Sequence, residues 1–360
     1  MDTNYLSMKL TKLIPEIVAS LAATLLASGV LCSCGKDPKP GDPQVAISFR
    51  NADTKAVTSD RLESDGSRFS VCGEFSRGGT FSHESATRIF DNVPVQYSGA
   101  ESEWTYDDPR YWTAGSVFRF CGYWPAGNAV LDFSDDEVSL TGFSVNTSAS
   151  NQEDLLLSNI NERKTGVLIG AQEKVELNFR HILCNIRFAI VATVSDPEAA
   201  NRPKMVVTGI TLSNVKSKGD FSASIADDCS WANGTWDISR YNEIKEYSSG
   251  ELNKELIITG KGHASSIYDN STIMWEDGFY VIPQSGSSRD VAITVAYTLT
   301  KDGKTSNKRV QKTIPFSSDW VINKRITYTL DVDESDNITF GRPTVEPWGK
   351  PQASGTIVIN

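Results

Sequence analysis

Strict alternation of apolar and polar residues dominates the chain from Val45 onward. Val45, Ile47 and Phe49 share one phase, as do Phe69, Val71 and Phe75, then Val93, Val95 and Tyr97, then Phe118, Phe120 and Trp124. Clusters of Gly, Ser, Asp or Pro bound each run, so each predicts a half-buried β-strand. A longer run carries Val175, Leu177 and Phe179 in one phase and Ile182, Cys184, Ile186, Phe188 and Ile190 in the other. The apolar face therefore switches between Arg180 and His181, where a bulge or corner keeps both halves on the core. Further strands are predicted at Val206, Ile210 and Leu212, at Leu256 and Ile258, at Phe279 and Val281, and along alternate positions of 291–299 and 326–332. No long amphipathic helix follows residue 34, and residues 154–161 reach two helical turns at most.

Residues 195–203 break the alternation with Pro197, Pro203 and three charged side chains, Asp196, Glu198 and Arg202. This places a domain boundary between an N-terminal β-sandwich, 45–195, and a C-terminal β-sandwich, 204–348. The predicted fold class is all-β, two sandwiches in tandem of about 150 residues each.

The N-terminus reads differently. Lys9 and Lys12 precede an apolar run at 17–31, which has the length of a signal-peptide core rather than of a membrane span. Leu31-Cys32-Ser33-Cys34 follows, similar to a bacterial lipobox, with small residues before the cysteine that takes the lipid. Residues 1–33 are therefore predicted as a lipoprotein signal peptide and Cys34 as the lipid attachment site. Cys32 ranks second because Leu31 would then sit at the cut. Residues 34–44, rich in Pro, Gly and charge, form a tether. At the other end, 349–360 is a tail in which Ile357, Val358 and Ile359 follow a Pro- and Gly-containing hinge.

Composition narrows the chemistry. Of 360 residues, 35 are Lys or Arg and 45 are Asp or Glu, a net charge of −10 that repels nucleic acid. Residues 1–33 hold two charges of each sign, Lys9 and Lys12 against Asp2 and Glu16, so the deficit belongs to the remainder. The three histidines, His83, His181 and His263, are far apart, and no G-x-S-x-G, phosphate loop, H-E-x-x-H or paired C-x-x-C occurs. No catalytic residue, metal or cofactor is assigned. Asp107-Asp108 and Asp135-Asp136-Glu137 lack the ligand spacing of a calcium loop and read as turn carboxylates. The aromatic set Trp104, Tyr106, Tyr111, Trp112, Tyr123 and Trp124 suits either stacking on sugars or a core. Cys72, Cys121 and Cys184 before the boundary and Cys229 after it cannot all pair within domains, which argues against a disulfide scaffold and leaves room for one bridge.

Several motifs in this order resemble the fimbrillin family, the type V pilins and surface lipoproteins of Bacteroidales. They are Trp104-x-Tyr106-x-x-x-Arg110-Tyr111-Trp112, Phe118-x-Phe120-x-Gly122-Tyr123-Trp124-Pro125, and Asp154-Leu155-Leu156 followed by Val175-x-Leu177-x-Phe179-x-His181. To these are added Tyr280-Val281-Ile282-Pro283-Gln284, the stretch 320–328, and Val345-Glu346-Pro347-Trp348.

The resemblance implies transthyretin-like β-sandwich domains and assembly by strand exchange. A precursor anchored on the outer membrane is cut after its first strand, that strand leaves, and the C-terminal strand of a neighbour takes its place. Here the leaving strand would be 45–49 and the donor strand Ile357, Val358 and Ile359. Family precursors often show Thr-Arg-Ala at the cut, whereas this chain has Thr54-Lys55-Ala56, so the candidate cut sites are Lys55, Arg50 and Arg61. The implied partners are other fimbrial subunits in a homo- or hetero-polymer, the outer membrane through the lipid, and a host glycan or protein. The alternative is a monomeric surface lipoprotein that binds glycan and never polymerises.

Overall fold

The computed structural model describes residues 44–51, 62–260, 271–284, 290–315 and 319–348, and the chain is all-β. In chain order the strands begin with β1 (Phe49–Asn51), β2 (Arg68–Arg77), β3 (Thr87–Ser98), β4 (Glu103–Thr105), β5 (Ser116–Trp124), β6 (Val130–Phe133) and β7 (Glu137–Ser144). They continue with β8 (Leu156–Ser158), β9 (Asn161–Lys164), β10 (Val175–Leu177), β11 (Phe179–His181), β12 (Cys184–Val194), β13 (Lys204–Lys216), β14 (Lys218–Ile225), β15 (Trp231–Asp237) and β16 (Ile244–Ser248). The remainder are β17 (Lys254–Glu255), β18 (Ile258–Gly260), β19 (Thr272–Ile273), β20 (Phe279–Val281), β21 (Ala292–Lys301), β22 (Lys304–Thr313), β23 (Lys324–Asp333), β24 (Ile338–Phe340) and β25 (Thr344–Pro347).

Among these, the first sheet has the order β10-β1-β4-β3-β2-β5-β8-β11, with β9 also on β5. Its two end strands, β10 and β11, are separated in the chain by Asn178 alone. A sheet whose ends are one residue apart must bend round on itself, and the space it encloses is packed with Phe49, Phe69, Phe90, Trp104, Phe118 and Phe120. Strand β5 shows why the residues form this layer. Phe118 and Phe120 point into the aromatic interior, while Val117, Cys121 and Tyr123 point to a second, larger core on the outside. Where the ring of Phe120 crosses β2 there is no room for a side chain. A Cβ on Gly73 would lie 2.7 Å from Phe120 and 3.0 Å from Phe90.

The larger core is shared by three more sheets: β18-β12-β23-β24, β16-β13-β21-β22 and β15-β14-β7-β6. The chain enters it at the predicted phase switch, because β11 closes the first sheet while β12, two residues on, runs parallel to β23 from Cys184 beside Lys324 to Thr193 beside Asp333. The corner at Ile182 and Leu183 thus carries one strand pattern from the first core to the second.

Three expectations are refined. Strand β12 alternates as predicted but is buried on both faces, so its polar positions need internal partners. Asn185 accepts from Arg325 Nε at 2.8 Å, Arg187 meets Glu276 at 2.9 Å, and Thr193 donates to Asp331 at 2.9 Å. In β13 the register slips between Val207 and Gly209, and the bulge puts Met205 and Val207 on the core where alternation pointed to Val206. Residues 154–161, allowed two helical turns, instead hold β8, whose three residues are all buried and pair with β5 and β11.

The segment 195–203 lies between β12 and β13, and pairing crosses it in both directions. Strand β7 pairs with β14, and β12 with β23. A division of the chain at this point is thus not a division of the sheets.

Replacing Gly73 by Ala is expected to lower stability by roughly 1–3 kcal/mol through overpacking against Phe120. Gly79→Ala, with nothing within 4 Å of the added carbon, should stay within about 0.5 kcal/mol. Urea midpoints of the two variants check this, and equal midpoints would contradict the seating of Phe120 on β2.

Candidate functional site

Residues 45–51, an extended stretch with an isolated bridge at Ala46 that runs into β1, are inserted with neighbours on both edges; this stretch is called the first strand below. On one edge Ile47 N donates to Arg110 O at 2.8 Å, Trp112 N donates to Val45 O at 3.1 Å, and Phe49 stands opposite Trp104 of β4. On the other, Val175 N donates to Ser48 O at 2.7 Å, and β1 continues parallel to β10 with Phe49 beside Val175 and Arg50 beside Glu176. Without this segment, the edges at 104–112 and 175–177 would both expose backbone groups that need partners.

Side chains add the apolar part. Phe49 is 1% exposed and its ring meets four others edge-on, with centroids 6.0 Å from Phe69, 5.4 Å from Phe90, 5.8 Å from Tyr106 and 5.9 Å from Phe120. Ile47 is buried beside it, and Val45 packs at the rim. Tyr106 closes the slot from above by donating its hydroxyl to Ile47 O at 2.7 Å. Burial pushes the Tyr106 phenol above its usual pKa, which keeps that donor proton in place. Arg110 braces the same loop: it donates to the carbonyls of Asp107 and Asp108 at 3.1 and 2.7 Å, and its guanidinium lies 4.8 Å from the centre of the Phe90 ring.

The sequence motif Trp104-x-Tyr106-x-x-x-Arg110-Tyr111-Trp112 is therefore one wall of the slot. Trp104 faces Phe49, Tyr111 bridges Ala46, and Tyr106, Arg110 and Trp112 supply the bonds just described. Sequence reading singled out these aromatics without placing them against 45–49, because the register between residues 46 and 111 leaves no local trace.

Of the candidate cut sites, Arg50 lies within β1, its backbone in the ladder with Glu176 and its side chain ion-paired to the same residue at 2.5 Å. Lys55 and Arg61 lie outside the described residues, as do Cys34 and the candidate donor residues Ile357, Val358 and Ile359.

The remaining motif residues gather at a second place. His181 Nδ1 is hydrogen-bonded to the buried Asp154 carboxylate, whose other oxygen accepts from Leu155 N at 2.8 Å. The imidazole is stacked on Trp348, with centroids 4.1 Å apart and planes 8° from parallel. Tyr280 also packs on that indole, with ring centroids 5.1 Å apart, and Gln152 clamps the Tyr280 backbone, donating to its O and accepting from its N at 2.9 Å each. A carboxylate–imidazole pair buried under an indole has no open face for a substrate. It fastens the corner at 181–184 to the end of β25.

Other candidates resolve into packing. Trp104, Trp112, Tyr123 and Trp124 are buried, Tyr106 is half-buried, and Tyr111 alone of the aromatic set is exposed. Asp135 accepts from His83 N and Asp136 from Ser134, each at 2.9 Å, so these acids serve turns. Among the described residues no group of three or more His, Cys, Asp or Glu is arranged to hold a metal ion.

Fold and slot together define an all-β protein in which the first strand among the described residues completes the first sheet. The chain belongs to the fimbrillin-like family, whose model matches residues 54–348. A fimbrial protein from Bacteroides vulgatus ATCC 8482 is similar in structure with a TM-score of 0.56; it is 16% identical, and the likeness covers 84% of this chain and 99% of that one. A candidate cell adhesion protein from Bacteroides uniformis ATCC 8492 is 17% identical over 86% of this chain and 99% of that one, with a TM-score of 0.46. At such identity the first structure shares the fold alone. No curated protein sequence matches the chain. Family membership supports a fimbrial role at the cell surface.

The slot makes a quantitative distinction between neighbouring residues. Phe49→Ala should cost about 3–5 kcal/mol, as for a large aromatic removed from a close-packed core. Arg50→Ala, which loses only an ion pair exposed to 53% on the arginine side, should cost no more than about 1 kcal/mol. Chemical denaturation of both variants reads the difference, and similar midpoints would contradict the burial of the first strand.

Proposed function

We propose that the protein is a fimbrial structural or accessory subunit that assembles by strand exchange. It reaches the outer membrane as a lipoprotein anchored through Cys34. A cut within 52–61 severs residues 45–51 from the rest of the chain, and the tail of another copy or of a related subunit, with Ile357, Val358 and Ile359, then fills the vacated slot.

The observation that carries this reading is the placement of residues 45–51. A terminal strand bonded on both edges can leave without unthreading the chain, and what it leaves is a groove with two unpaired edges and an aromatic floor. Arg50 is the least suited of the cut sites, since its peptide is held in the ladder while a protease needs an extended, unpaired backbone. The cut then falls to Lys55 or Arg61. A donated strand gains about 1 kcal/mol net per hydrogen bond and roughly 1.5–3 kcal/mol for each Ile or Val it buries, so its apolar face dominates. The glycan-binding alternative loses the support of its aromatic set, most of which is core.

The experiment uses the chain without its signal peptide, treated with trypsin and followed by size-exclusion chromatography. The treated wild type is expected to form polymers, and Ile357→Asp with Ile359→Asp, or Val358→Asp if the opposite face turns inward, is expected to stop them while leaving the monomer folded. Treated wild type that stays monomeric at high concentration, with its first strand removed, would overturn the proposal.

A further inference from the structure

Cys72 of β2 and Cys121 of β5 stand directly opposite one another in the antiparallel ladder. Opposed residues in such a pair have Cα atoms about 4.5 or 5.5 Å apart, depending on whether they share hydrogen bonds. A disulfide spans Cα separations of roughly 4.4–6.8 Å, so either arrangement is within reach. The side chains also share a face. Both are fully buried in the larger core, whereas Val71 beside Cys72 and Phe120 beside Cys121 point into the aromatic interior.

On the other side of β2 the register with β3 shifts between Val71 and Gly73, so Cys72 has no ladder partner there, and its sulfur accepts from Asn92 N at 3.4 Å. The thiols are free in this structure, Cys72 donating to Leu131 O at 3.2 Å and Cys121 to Ser158 O at 3.5 Å. The other two described cysteines have no such relation: Cys184 stands beside Val281 and Lys324, and Cys229 lies 3.8 Å from Glu162.

We propose that Cys72 and Cys121 form a cross-strand disulfide when the protein is exported into an oxidising compartment, by exchange with an external disulfide oxidant. The chemistry balances in two steps. One cysteine thiolate attacks a sulfur of the oxidant's disulfide and expels a thiolate, leaving a mixed disulfide. The second cysteine, deprotonated in turn, attacks the first cysteine's sulfur and expels the oxidant's other thiolate. The two protein thiols have lost two electrons and two protons, and the oxidant leaves as a dithiol.

Burial sets the timing. It pushes the Cys72 thiol up to about 11 and the Cys121 thiol up to about 12, so the folded sheet presents almost no thiolate at neutral pH. The bond therefore forms before β2 and β5 are covered, and protein folded in the reduced state stays reduced. The bond ties β2 to β5 on the face away from the first strand's slot, so it does not depend on strand exchange.

The test is the wild-type chain exported by its own signal to a bacterial cell envelope, alkylated with iodoacetamide under denaturing conditions without reductant, and mapped by mass spectrometry. The expected result is a linked pair of peptides containing Cys72 and Cys121, resolved by reductant, with Cys184 and Cys229 alkylated. Protein refolded in reductant and then exposed to oxidised glutathione should remain alkylatable at both positions once unfolded. The linked form should melt several degrees above the same protein reduced, and Cys72→Ala with Cys121→Ala should melt at a temperature insensitive to reductant. Full alkylation of Cys72 and Cys121 in the exported protein, or linkage of either to a different cysteine, would overturn the proposal.

Discussion

Every residue of a strand other than proline carries a backbone donor and acceptor that must find partners, and the first sheet meets this requirement only when residues 45–51 are in place. With them, β10 and β4 are joined through β1 and the sheet runs unbroken from β10 to β11. Without them, two edges open beside an interior filled with phenylalanine and tryptophan. Hydrogen-bond satisfaction and apolar burial therefore point to the same segment. The walls are built to match: Trp104, Tyr106, Arg110, Tyr111 and Trp112 all reach the first strand, through ring contacts, a hydroxyl or their backbone.

The rest of the molecule supports that slot from behind. Strand β5 has one face in the aromatic interior and the other in the larger core, so the rolled sheet is braced along its middle. The end of the roll, β11, is pinned where Asp154 is hydrogen-bonded to His181 and His181 stacks on Trp348, at the corner leading to β12. A buried carboxylate and imidazole that satisfy each other resist displacement, because separating them would strand both in an apolar setting. Under the proposed strand exchange, this frame is the part that stays behind when the first strand leaves.

Much of the strand content was legible in the sequence because alternation is a local signal. The first strand is an example: Val45, Ile47 and Phe49 lie on one face, and all three do pack on the aromatic core. What alternation cannot carry is register between distant segments, so the pairing of residues 46 and 111 and the closure of β10 toward β11 had no sequence trace. Bulges defeat it too, as at Thr208, where one extra residue moved the core positions from Val206 to Met205 and Val207. Residues 154–161 misled by being short and mixed, and tertiary pairing with β5 and β11 decided for a strand. At the site, the motif residues were recognisable while their meeting was not. His181 and Trp348 are far apart in sequence, and only the folded corner stacks them.

Hydrogen exchange at the amides facing the slot tests the account most directly. Trp112 N and Val175 N both donate to the first strand, so both should be protected in the intact chain. After cutting within 52–61 and removing the first strand, these two amides should exchange faster, and they should regain protection when a peptide of residues 350–360 is added. Amides of β2 and β12 should stay protected throughout. Unchanged protection at Trp112 and Val175 after the strand is gone, or loss of protection across β2 and β12 as well, would contradict a slot that can be emptied and refilled.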